Sequence, residues 1–215
     1  MEIKANYIKA RNKASEILVL QESIDFPIDI YNIIIPNKKI IFSTYQKYAD
    51  KVGITIDEIS CNGEFNDAMV IKQKDTYLIL YNDDLKNKGR VLWSLAHELG
   101  HIVLEHKNQG EKEEVEAHTF ASQLLLPQCL LKKLFKAGIK ITIPYLKNKF
   151  GLSEKASISC LKLVGNKLEN EYDAEYDDII LNKCSKFIKK ELSGLKDNCY
   201  DEEMDNTRNE WLYDM

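Results

Sequence analysis

Ile3, Tyr7, Ile8, Ala14, Ile17 and Leu18 recur at three- and four-residue spacing, which predicts a helix over residues 3–20. FPIDIYNIII follows, with Pro27 placed to open a short helix and Pro36 to end it. KKIIF (38–42) reads as a short strand. Ser43 or Thr44 can then cap a helix through YQKYADK, stopped at Gly53. Thr55 opens another turn, and CNGEFND has the composition of a loop. Over residues 68–82 the period changes: AMVI and TYLILYN flank the polar KQKD, a hairpin signal.

The segment 89–106 carries the clearest helical stripe, through Val91, Leu92, Leu95, Leu99, Ile102 and Val103. A polar loop leads into a second helix over 112–126, closed before Pro127, and 128–138 is helical up to Gly138. Residues 141–165 read as two short helices around a Gly-Leu-Ser turn, shaped like a helix-turn-helix. Beyond them only 177–192 has a helical apolar face, through Ile180, Cys184, Phe187 and Ile188, a face expected to dock on the body or on a partner. The pattern places a domain over residues 1–168 and an acidic, partly helical extension over 169–215.

Charge sharpens that division. Residues 168–215 carry 14 acidic and 6 basic side chains, whereas the rest of the chain has a balance of +4. Lys outnumbers Arg 27 to 3, and the basic residues are diluted by acids, so no stripe exists for phosphates. The first residues lack the apolar run of a signal peptide, and no run is long enough to span a membrane. Five scattered cysteines (61, 129, 160, 184, 199) without a C-x-x-C pair read as reduced thiols of a cytoplasmic protein.

Candidate chemistry lies on the strongest helix, where residues 97–101 read His-Glu-Leu-Gly-His, the pattern H-E-x-x-H. His97 and His101, at i and i+4, share a helical face and can meet one metal ion. Glu98 lies about 100° round the axis, off that pair and placed to act as general base on a water. All four histidines (97, 101, 106, 118) fall in this stretch and the next helix, and the motif sits in apolar sequence, WSLAHELGHIVL. Gly100 in mid-helix costs about 1 kcal/mol relative to Ala, which points to a close approach there by a strand or a substrate. A third ligand is available from Glu113, Glu114 or Glu116. Glu114 is favoured because it shares a face with Ala117, His118, Ala121 and Leu125; Glu116 is the alternative. His118, at i+4 from Glu114, is a candidate hydrogen-bond partner behind the ligands, and His106 reads as structural. Two histidines and a carboxylate leave the open position of a catalytic zinc site, although the same donors accept manganese.

At LAHELGHIVLEH (95–106), EVEAHTFASQLLLP (114–127) and Ile141–Gly165 the sequence resembles the ImmA/IrrE family of metallo-endopeptidases. TYLILYND also fits, and the resemblance covers roughly residues 20–165. It implies an α+β fold: a mainly helical, zincin-like core of the gluzincin kind with a small antiparallel sheet and a helix-turn-helix-like segment. It implies zinc on His97, His101 and Glu114, with Glu98 as general base. His118 departs from the family, which usually has Asn there. The implied function is regulatory proteolysis in the cytoplasm. A partner helix-turn-helix repressor, often encoded beside the protease on phages or mobile elements, is cut and mobile-element or stress genes are released. Direct DNA contact is not expected, since FGLSEKAS has Lys149 and Lys155 nearby but no arginine. The substrate would add as a strand along TYLILYN, with Tyr77, Ile79 and Tyr81 as candidates. The alternative is a metal-containing regulatory protein that sequesters a repressor or toxin partner without cleaving it.

Overall fold

A computed structural model describes residues 4–59, 66–108, 110–165 and 175–194. Helix α1 (Tyr7–Leu20) begins later than its apolar period, because the Asn6 side chain accepts from the Lys9 amide and caps it there. FPIDIYNIII does not form the short helix expected between its prolines. The Asp29 carboxylate instead takes the Tyr31 amide and the Asn32 side chain, a local turn that competes with helix, while Ile30 enters the core. Strand β1 (Lys39–Thr44) passes directly into α2 (Tyr45–Val52). Thr44 caps α2 by accepting from Lys47, and Gly53 ends it at φ +75°, the left-handed conformation that favours glycine. A single turn, α3 (Ile56–Ile59), follows.

The expected hairpin forms as β2 (Ala68–Gln73) and β3 (Thr76–Tyr81), with Ala68 opposite Tyr81 and Gln73 opposite Thr76. The third strand departs from a purely antiparallel sheet. β1 lies parallel to β3, Ile40 beside Tyr77 and Phe42 beside Ile79, so the strand order is β1-β3-β2. TYLILYN is therefore the central strand, paired on both sides. Tyr77, Ile79 and Tyr81 face the core, with Ile79 fully buried. They are not an exposed edge for a substrate, because β1 takes the position that a docking peptide would need.

Helices α4 (Lys88–Val103) and α5 (Glu111–Leu125) pack side by side, and α4 lies against β2 and β3. The glycine in mid-α4 has its reason here. A Cβ on Gly100 would stand 3.1 Å from the Ala117 Cα and 3.2 Å from its carbonyl oxygen. The close approach is thus made by α5, not by a strand or a substrate. Helices α6 (Gln128–Lys136), α7 (Ile143–Phe150) and α8 (Glu154–Gly165) complete this part, α7 and α8 meeting around Gly151 at φ +65°. That helix-turn-helix-like turn faces inward: a Cβ on Gly89 of α4 would meet Gly151 O at 2.5 Å, and Pro27 lies over Gly151.

The core does not stop at residue 168. α9 (Asp177–Lys183) and the helical turns over 185–194 bury Ile180, Cys184, Phe187 and Ile188 in the same cluster as Leu18, Ile30 and Phe150. The Ile24 amide donates to the Lys183 carbonyl, and the Lys183 ammonium donates to the Gln21 carbonyl. Glu191 is buried and accepts from the Tyr145 hydroxyl at 2.9 Å and the Lys149 ammonium at 2.6 Å. The acid-rich stretches flanking this helix, Cys61 and Cys199 lie outside the described residues. Cys129, Cys160 and Cys184 are buried free thiols.

Two outcomes are expected. Burying a large apolar side chain contributes about 1.5–3 kcal/mol, so ending the chain at residue 168 forfeits at least about 5 kcal/mol, the whole stability of a marginal domain. That truncation should abolish cooperative thermal unfolding by circular dichroism; an unchanged midpoint would mean the last helix adds nothing to the core. Gly100→Ala gains about 1 kcal/mol of helix propensity and loses about 1–3 kcal/mol by overpacking against α5. Its midpoint should fall, and a rise would contradict the contact with Ala117.

Candidate metal centre

α4 is held by its first turns. Asn87 caps it by accepting from the Arg90 amide, and the Arg90 guanidinium grips the Asp67 carboxylate, with Nη2 to Oδ1 at 2.8 Å. Asp67 immediately precedes β2, so this pair ties one edge strand to the helix that bears the histidines. One turn apart on that helix, His97 Nε2 and His101 Nε2 stand 3.0 Å from each other.

Glu114, in the first turn of α5, meets both rings. Its Oε2 lies 3.1 Å from His97 Nε2 and its Oε1 3.4 Å from His101 Nε2. The imidazoles are 12% and 13% exposed and the carboxylate 43%, so the donors are walled by protein on one side and open on the other. A tetrahedral ion with ligand bonds near ~2.0 Å sets its donor atoms about 3.3 Å apart, and the ring nitrogens, 3.0 Å from each other and 3.1 and 3.4 Å from the nearer carboxylate oxygen of each, bracket that value. Burial, with the neighbouring rings of His118, His101 and His106, pushes the His97 imidazole down to about 3. Burial lowers His101 as well. Both rings are therefore neutral near pH 7 and offer lone pairs, and the donor set fits a divalent cation.

Glu98 is partly buried on the same helix. Withdrawal from water, reinforced by the charge of Glu114, lifts its carboxyl to about 8. A dication at the three donors opposes both effects and favours the carboxylate.

His118 lies beside His97, with ring centroids 4.4 Å apart, and stacks on Trp93 at 6.1 Å. It is exposed, and one ligand atom each from His97, Glu114 and His118 fall within 4.8 Å of one another. It does not serve as the hydrogen-bond partner of His97, whose Nδ1 is buried without one. Glu116, the alternative ligand, points away from the two rings. Its Oε2 lies 3.1 Å from His106 Nε2, and its Oε1 accepts from the Asn6 amide at 2.7 Å. Burial opposes ionisation of Glu116, but the Asn6 amide, His106 and Lys112 outweigh it and hold the carboxyl below its usual range.

His106 is the residue that helical reasoning misplaced. Carried on as a helix, α4 would turn it away from the ligand face. Instead the helix ends at Val103, Glu105 takes φ +58°, and the His106 amide bonds back to the His101 carbonyl at 3.1 Å. That six-to-one closure is a Schellman turn, and it folds the His106 ring under His101, Nδ1 to Nδ1 at 3.0 Å. The usual mark of such a turn is glycine; here Glu105 occupies the left-handed position and pairs with Lys38 at 2.8 Å. No sequence signal announced it.

No described helix is long and apolar enough to cross a membrane. No curated protein matches the chain. A peptidase family described as the IrrE N-terminal-like domain matches residues 49–158, which hold the histidine motif, Glu114 and most of the sheet. That span is just over half of the chain, and the chain belongs to this family.

Proposed function

We propose that the protein is a regulatory zinc endopeptidase that cleaves a partner helix-turn-helix repressor. The observation that carries the reading is the convergence of His97 Nε2, His101 Nε2 and the Glu114 carboxylate, Oε2 toward His97 and Oε1 toward His101, beside the partly buried Glu98. Membership of a peptidase family supports it. His97, His101 and Glu114 would hold the ion, which when bound supplies Lewis acidity toward water and the scissile carbonyl. Glu98 takes a proton from the attacking water at its carboxylate. As the C–N bond breaks it returns that proton to the leaving amine. Ser94 also reaches Asp67 at 3.5 Å, so the clamp between β2 and α4 has two contacts on the helix. Among the described residues no strand pairs with the outer edge of β2. An extended peptide pairing there through its main chain runs along the strand fixed to α4, with affinity that depends little on side chains.

Glu98→Gln separates cleavage from mere sequestration, because it removes the proton acceptor and leaves the three donors in place. Zinc content should stay stoichiometric. Cutting of a repressor encoded beside the gene, followed by mass spectrometry, should fall about 10²–10⁴-fold. Wild-type cleavage by that variant would sink the mechanism, and repressor binding without cleavage by the wild-type protein would favour the sequestering alternative. His97→Ala and Glu114→Ala should each lose stoichiometric zinc by elemental analysis. Full retention in the Glu114 variant would remove that residue from the ligand set.

A further inference from the structure

The two histidines of the motif are supported differently. His97 Nδ1 is buried with no partner, whereas His101 stands at the head of a chain of contacts running away from the cleft. His101 Nδ1 lies 3.0 Å from His106 Nδ1, His106 Nε2 lies 3.1 Å from Glu116 Oε2, and Glu116 Oε1 takes the Asn6 amide at 2.7 Å. The His106 and Glu116 side chains are 7% and 5% exposed. With Glu116 ionised and His106 neutral, one arrangement of protons satisfies the whole chain. The Glu116 carboxylate accepts on both oxygens, from Asn6 N–H and from His106 Nε2–H, and His106 accepts at Nδ1. His101 must donate from Nδ1, which leaves the Nε2 lone pair for the cleft.

From this we infer that His106, backed by Glu116 and the Asn6 amide, is a positioning residue that fixes the tautomer and ring plane of His101 for metal binding. The Schellman turn at Glu105 delivers it. The hydrogen bond fixes which nitrogen of His101 is free, and the carboxylate behind it makes His106 a better acceptor. The inference rests on His101 being a ligand. Partners of this kind typically change metal affinity 10–100-fold when removed.

The test is zinc affinity of the full-length protein by competition with a chromophoric chelator, with the visible spectrum of the cobalt-substituted protein as a second readout. His106→Ala should bind zinc roughly 10–100-fold more weakly and alter the cobalt bands. His106→Asn keeps an acceptor oxygen where Nδ1 stood, whereas His106→Gln keeps a polar atom only where Nε2 stood. Asn should therefore restore more affinity than Gln, an order that a merely space-filling role does not produce. Glu116→Gln, which keeps the shape of the second member, should weaken zinc binding while leaving the apo protein folded, and it carries the test if His106→Ala does not fold. Zinc affinity within twofold of wild type in His106→Ala or Glu116→Gln, with His101→Ala unable to bind, would overturn the positioning role alone. Wild-type affinity in His101→Ala would instead overturn the ligand assignment beneath it.

Discussion

The contact between Gly100 and Ala117 is the constraint on which the rest of the site depends. Two helices with ordinary side chains at their crossing stand about 8–10 Å apart. Here a missing side chain on α4 faces an alanine on α5, and a Cβ would already touch the α5 backbone at 3.1 Å. Glu114 lies three residues before Ala117 and His101 one residue after Gly100. The same approach that closes the crossing brings a carboxylate within 3.4 Å of both motif imidazoles. The helix-propensity cost of a glycine in mid-helix, about 1 kcal/mol, is offset by a third donor that a four-residue repeat on one helix could not supply.

Electrostatically the centre is a place where positive charge is missing. Burial holds His97 and His101 neutral and favours protonation of Glu98, while Glu114 keeps an exposed flank toward solvent. A cation where the donor atoms converge would relieve the shift of Glu98, and it would meet two rings already free of the protons that compete with it. Structural ion-pair networks also shift such groups, but they place opposite charges against one another. Here two neutral rings and a carboxylate point their lone pairs at a common spot.

Much of this was legible from local rules. Helix α4, the closeness of His97 and His101 on one of its faces and the Thr44 and Gly53 caps of α2 each follow from a period or a capping chemistry confined to a few residues. The parts that were not legible depend on partners distant in sequence or on backbone turns that carry no signature. TYLILYN has the composition of any half-buried strand, and only the parallel arrival of β1 makes it central. FPIDIYNIII carries helix-compatible punctuation that the Asp29 turn overrides. The place of His106 beside His101 carries no local signature, because Glu105, not glycine, ends the helix with positive φ. The apolar face of 177–192 was visible, but not that it would close the same core as α1.

That closure fixes when in its life the protein becomes a working object. The Lys183 ammonium meets the Gln21 carbonyl 162 residues earlier in the chain, and α9 packs on both α1 and α6. A ribosome adding ~5–20 residues per second needs roughly ten to thirty seconds to cover that span. Over the last 69 residues of that span, from Glu114 to Lys183, the histidine helix and its glutamate partner exist as polypeptide without the layer that completes their core. The nascent chain thus carries every donor of the metal centre well before it can hold them rigid. Synthesis itself orders assembly: the core on which these side chains rest is complete only once α9 and the turns after it have emerged and docked.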